Sequence, residues 1–163
     1  MSASDPFLDD RLSLEPGDAV AAILVLPDGR YLLQHRDPRP GIFYPDHWGC
    51  FGGGVETSDA DRRSALQREL QEELALAVAS DATTYFTDFT FDLSFCGAGK
   101  LFRTYFEIQL TEDRLSGLRL AEGSDVRAFT TREALAGLRL VPYDAFALWM
   151  HANRTRLVPP RRT

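Results

Sequence analysis

Apolar residues in the first part of this chain come in short runs separated by turn-forming residues. Ala19 to Leu26 is an unbroken run of Val, Ile, Leu and Ala, the length of a buried strand and too short for a packed helix. Pro27-Asp28-Gly29-Arg30 follows as a turn, and Tyr31 to His35 resumes the apolar pattern, so the pair predicts a β-hairpin with an Asp-Gly turn. Asp37 to Asp46 holds three prolines and a glycine and reads as a loop. Trp48 to Phe51 is a short strand running into Gly52-Gly53-Gly54. The period then changes: Leu66, Leu70 and Leu74 recur at i,i+4, which predicts a helix capped by Asp59 or Asp61 and ending at Leu74 or Leu76. On the helical wheel Ala65 falls near the polar flank of that stripe, small enough to leave room there.

The second half predicts two long strands, Thr83 to Phe95 and Leu101 to Leu110, with a turn over 96–100. Phe89, Phe91, Leu93 and Phe95 alternate, so they share one strand face and fit sheet core. Thr111 to Gly117 reads as a polar connection. Leu118 to Phe129 reads as a strand interrupted at Glu122-Gly123-Ser124-Asp125, and Thr131 to Leu138 and Tyr143 to Arg154 read as helices, the first capped by Thr130 or Thr131. Residues 1–16 read as a flexible arm, 17–155 as a single domain and 156–163 as a basic tail. Strands around one helix, with helices at the end, give an α+β class, a mixed-sheet α/β/α sandwich.

Composition narrows the function. A chain of 163 residues forms one domain with a real core. A net charge of −6 without a long basic run argues against a dedicated nucleic-acid binder. It does not argue against a small phosphorylated ligand, because a bound cation can reverse the local field. Cys50 and Cys96 show neither metal-ligand spacing nor a disulfide framework. No stretch approaches the ~18 apolar residues of a membrane span. The polar, acidic start carries no apolar leader core, so a cytoplasmic location is expected.

The chemistry concentrates in one place. After Gly52-Gly53-Gly54-Val55-Glu56 and eleven intervening residues comes Arg68-Glu69-Leu70-Gln71-Glu72-Glu73. Glu69, Glu72 and Glu73 stand at i, i+3 and i+4, so a helix brings them to one face. Like charges so placed repel by a few tenths of a kcal/mol per pair. A hard divalent cation offsets that, since Mg²⁺ takes carboxylates together with substrate phosphates. At a strand end, Arg36 has the fork that suits phosphate. Trp48, Phe51 and Phe43 could stack a base or simply pack in the core.

These residues resemble the Nudix hydrolases, whose pattern is Gly, five residues, Glu, seven residues, then Arg-Glu-aliphatic-any-Glu-Glu-any-Gly-aliphatic. The stretch 68–76 matches the second half except that Ala75 stands in place of the glycine. With the first glycine placed on Gly53, Asp59 takes the place of the upstream glutamate, at the cost of one extra residue before Arg68. The resemblance implies Mg²⁺- or Mn²⁺-dependent cleavage of a nucleoside diphosphate linked to another moiety, of the nucleotide-sugar or (deoxy)nucleoside triphosphate type. It implies metal ligation by the Gly53 carbonyl, Glu69, Glu72 and Glu73. Arg68 would orient a glutamate, and Glu69, Glu72 and Glu122 would serve as ligands or proton acceptors. Arg36, Trp48 and Phe51 are the substrate-binding candidates, and Glu56 would be a second acceptor or a cap of the loop. The partner would be a small nucleotide, without nucleic acid or membrane, and family habit allows a homodimer. A non-catalytic nucleotide-sensing or interaction module on the same fold is the alternative.

Overall fold

The computed structural model describes residues 17–92, 94 and 99–157. The expected arm, most of the basic tail, Leu93 and Phe95 of the expected strand and the 96–98 part of the expected turn, with Cys96, lie outside them.

One six-stranded mixed sheet organises the fold. Strand β1 (Ala19–Val25) is buried at all seven positions, as a continuous apolar run requires when both faces are covered. It pairs antiparallel with β2 (Tyr31–His35) at Leu24–Leu32 and Val25–Tyr31. The turn between them is held by Asp28, which accepts from the Arg30 N–H (3.1 Å), and Gly29 takes a positive φ of 83°. Along its whole length β1 pairs parallel with β5 (Lys100–Gln109). Beyond β5 lies β4 (Thr84–Asp92), antiparallel to it, with a register shift at 85–87. The short β3 (Trp48–Gly49) joins one edge of β2, and β6 (Asp125–Phe129) pairs with β2 from Tyr31 to His35.

Alternation along β1 divides the core. Val20, Ala22 and Leu24 face one cluster with Leu66, Leu70 and Leu74 of helix α1 (Arg62–Leu74). Ala21, Ile23 and Val25 face another with Ala134, Ala147 and Leu148, from α3 (Thr131–Gly137) and α4 (Pro142–Ala152). Helices cover both faces, which is the expected sandwich. Asp61, not Asp59, caps α1, accepting from Ser64 N–H at 2.7 Å. The helix ends with Ala75 in the left-handed region (φ 53°), its N–H reaching Gln71 O (3.1 Å), while Leu76 N–H reaches Leu70 O (3.1 Å). That is the helix-ending geometry that favours glycine.

Three expectations need correction. The polar stretch after β5 is not a bare connection: α2 (Glu112–Gly117) forms there, with Glu112 and Asp113 in its first turn, where acids oppose the helix dipole. The strand expected from Leu118 begins only at Asp125. The residues before it instead pair with the end of α1, Arg119 N–H to Leu74 O (2.9 Å) and Ala121 N–H to Glu73 O (2.8 Å). Ala65 is fully buried in the core cluster and does not make room beside the acidic face.

Candidate active site

The glycine run is shaped by its closeness to β1. Val20 N–H donates to Gly53 O (2.9 Å) and Ala22 N–H to Phe51 O (2.8 Å), so residues 51–54 run antiparallel along the start of β1. Gly52 takes a φ of 126°, and a Cβ there would overlap the Val20 carbonyl and Ala21 Cα. Only glycine fits this approach. Gly53 has an ordinary φ, but an added Cβ would lie 2.5–2.7 Å from the Glu69 carboxylate. The turn and the helix are therefore built against each other at that point.

Arg68 locks the two together. Its Nε and Nη2 donate to the two oxygens of Asp59 (3.1 and 3.0 Å), Nη2 also to Gly54 O (2.9 Å), and Nη1 to Glu69 Oε1 (2.8 Å). Asp59 also accepts from Glu56 N–H (2.8 Å), and these donors hold its carboxyl below the usual range, Arg68 first. Asp59 is thus the anchor of Arg68. Glu56 stands 3.8 Å from Arg68 Nη1 at the exposed rim.

A cavity of about 220 Å³ opens beside this lock, lined by Glu69, Glu73 and Glu122 together with Gln34, Arg36 and Arg39. Glu73 is buried; it accepts from Gly52 N–H (2.8 Å) and, at 3.4 Å, from Gln34 Nε2. Burial pushes its carboxyl up to about 7. Burial also raises Glu69, with Arg68 opposing it. Glu122 is brought in by Gln34, whose Nε2 donates to the Glu122 carbonyl (3.0 Å). Gly123, at φ 86°, keeps that loop close: a Cβ there would lie 2.8 Å from Gln34 Cγ. Arg36 donates from Nε to Phe43 O (2.8 Å) and borders the cavity at the end of β2.

Other sequence candidates sit elsewhere. The Glu72 side chain is 57% exposed, does not line the cavity, and lies 3.4 Å from Arg68 Nη1. Gly53, by contrast, lines the cavity, and its carbonyl accepts from Val20 N–H with only one of its two lone pairs. Phe51 is fully buried in the core and is closed to any substrate ring. Trp48 packs on Phe129 and His35 (ring centroids 4.8 Å each) rather than lining the cavity, because β3 turns it towards the second cluster. Gln34 escaped the sequence reading. Its signal was a lone amide closing the buried run Tyr31-Leu32-Leu33, and such a residue needs partners.

The donor chemistry suits a hard divalent cation: oxygen ligands only, two of them raised by burial and offset in charge by binding. Among the described residues no three acidic side chains are already gathered within ligand distance of one point. Among them also, no helix is long and apolar enough to cross a membrane.

Comparison with known proteins agrees with this geometry. A family model described as the NUDIX domain matches residues 15–158. No curated protein matches the sequence. Among solved structures, the MutT protein of Methanosarcina mazei Go1 superposes with a TM-score of 0.71 at 17% identity, covering 90% of this chain and 99% of that one. The Escherichia coli ORF135 protein gives 0.65 at 26% identity, covering 91% and 97%. The NUDIX domain of Shewanella oneidensis NrtR, solved in complex with ADP ribose, gives 0.69 at 18% identity, covering 87% and 90%. With the glycine turn, the Arg68 lock and the acidic helix end in place, and the family model spanning nearly the whole chain, the chain belongs to the Nudix family and is a Nudix hydrolase.

Proposed function

We propose that this protein hydrolyses a pyrophosphate bond in a nucleoside diphosphate linked to another moiety, of the nucleotide-sugar or (deoxy)nucleoside triphosphate type, with Mg²⁺ or Mn²⁺ as cofactor. The observation that carries the reading is the cavity where Glu69, Glu73 and Glu122 face Arg36 and Arg39 beside the glycine turn. That is an arrangement for a polyanion and a cation together.

Glu73 would hold the cation, with Glu122 opposite and Glu72 turning in from the rim. When bound, the cation neutralises phosphate charge and lowers the pKa of a water in the site. The chain's own residues do the rest. Arg36 and Arg39 donate to phosphate oxygens and fix the linkage in the cavity. Arg68 occupies Glu69 Oε1, which leaves Oε2 as the atom that takes a proton from the attacking water. Gly52 N–H and Gln34 hold Glu73 in place. Asp59 contributes by fixing Arg68.

The test is product release across a panel of nucleotide sugars, nucleoside triphosphates and ADP-ribose in millimolar Mg²⁺, beside Glu72→Gln and Glu73→Gln. The expected result is turnover of at least one substrate, falling by roughly 10²-fold or more in each variant. Absence of turnover with nucleotide-dependent thermal stabilisation would overturn the hydrolytic reading in favour of a sensing module.

A further inference from the structure

The loop that carries Glu122 is tied down on both sides. Before it, Arg119 and Ala121 donate their N–H groups to Leu74 O and Glu73 O at the end of α1. After it, Ser124 N–H donates to His35 O (2.9 Å) at the end of β2. Only Glu122 and Gly123 span the gap between these ties. Glycine loses more conformational freedom on ordering than any other residue, so a carboxylate on this span keeps its place only if the second tie holds.

That tie is strengthened by a chain of side chains. Ser124 Oγ lies 2.7 Å from His35 Nδ1, and His35 Nε2 lies 3.3 Å from Asp46 Oδ1. A carboxylate only accepts, so in a neutral imidazole Nε2 carries the proton towards Asp46, and Nδ1 accepts from Ser124 O–H. The His35 ring packs on Trp48 (centroids 4.8 Å), and Arg139 Nη1 stands 3.5 Å from Asp46 Oδ2. Successive strand residues point to opposite faces. Gln34 therefore grips the loop from the cavity side, at the Glu122 carbonyl, and His35 grips it from the other side. Asp46, His35 and Ser124 do not line the cavity.

We propose that Asp46, His35 and Ser124 are positioning residues: as a linked chain they hold the Glu122 carboxylate across the cavity from Glu73 without touching substrate. This rests on the reading that gives Glu122 a part in the hydrolysis. A carboxylate left to wander must be ordered again in every turnover, and a group already in place avoids that cost.

The experiment takes two readouts on Ser124→Ala, on His35→Phe, which keeps a ring on Trp48 but accepts nothing, and on Ser124→Thr, which keeps the hydroxyl. The first readout is ¹⁵N relaxation of the full chain before any nucleotide is added. The Glu122 and Gly123 amides should give order parameters of about 0.85 in wild type and Ser124→Thr, falling below about 0.6 in Ser124→Ala and His35→Phe while those of α1 hold. Unchanged order parameters in Ser124→Ala or in His35→Phe overturn the inference, whether or not any substrate is turned over. The second readout is a double-mutant cycle with Glu122→Gln on the best substrate of the panel above. Ser124→Ala should lower kcat about tenfold with KM within about twofold, and should add nothing in the Glu122→Gln background. Equal losses in both backgrounds overturn the inference, because Ser124 then acts through another group. A panel without turnover overturns the hydrolytic reading alone, and the order parameters still decide whether the chain holds Glu122.

Discussion

Glu73→Gln separates what the site costs the fold from what it does for chemistry. In the native state the Glu73 carboxyl is raised by burial from 4.5 to about 7. A raised carboxylate binds its proton more tightly folded than unfolded, so folding is favoured below 4.5 and the advantage is lost as pH rises towards 7. The 2.5-unit difference corresponds to about 3 kcal/mol at pH 8, at ~1.36 kcal/mol per unit. Glutamine cannot ionise and can still accept from Gly52 N–H. In chelator, at pH 8, Glu73→Gln should therefore be more stable than wild type by up to about 3 kcal/mol; at pH 5 the two should agree within about 1 kcal/mol. Millimolar Mg²⁺ should reverse the order by stabilising wild type and leaving the variant unmoved. The assay is urea unfolding of both proteins at several pH values, with and without Mg²⁺, read as the difference between them so that other titrating groups cancel. A difference that does not vary between pH 5 and pH 8 refutes the assignment of a buried, desolvated carboxyl.

Gly53→Ala should fold, since its φ is ordinary, but lose activity by roughly 10²-fold or more, because the new methyl meets the Glu69 carboxylate at 2.5–2.7 Å; steady-state kinetics beside circular dichroism checks this. Ala75→Gly should raise stability by about 0.5–1 kcal/mol, seen as a melting temperature higher by ~1–4 °C, because glycine takes the left-handed φ without strain. Asp144→Ala should cost about 3–5 kcal/mol, measured by denaturant unfolding, because it leaves the buried Arg103 charge unpaired. Asp59→Asn should lower kcat more than it raises KM, because it loosens Arg68 and through it Glu69 without touching substrate; unchanged kcat would remove Asp59 from the positioning role.

Local rules were enough for much of this protein. The unbroken run 19–25 demanded a central strand, Asp28-Gly29 demanded a hairpin, and Leu66, Leu70 and Leu74 demanded a helix packed on one face. Each signal lies within a few residues, where sterics and periodicity act directly. The acidic helix end and the glycine run before it were legible for the same reason, and so was the family they resemble. Tertiary structure alone decided which groups meet. The Glu72 side chain lies outside the cavity while Glu73 is buried, although both belong to one motif, because the helix turns its apolar stripe to the sheet and carries only the nearer flank under the glycine turn. Phe51 became core because β1 lies against it. Gln34 and Glu122 come from a strand and a loop far from α1 in sequence, and only packing of the sheet between its helices brings them beside the acidic end of α1, as it also pairs Arg103 of β5 with Asp144 of α4. Spacing along a chain fixes neighbours one turn or one hairpin away; across longer loops the chain's own freedom erases that information, and burial of the two core faces restores it.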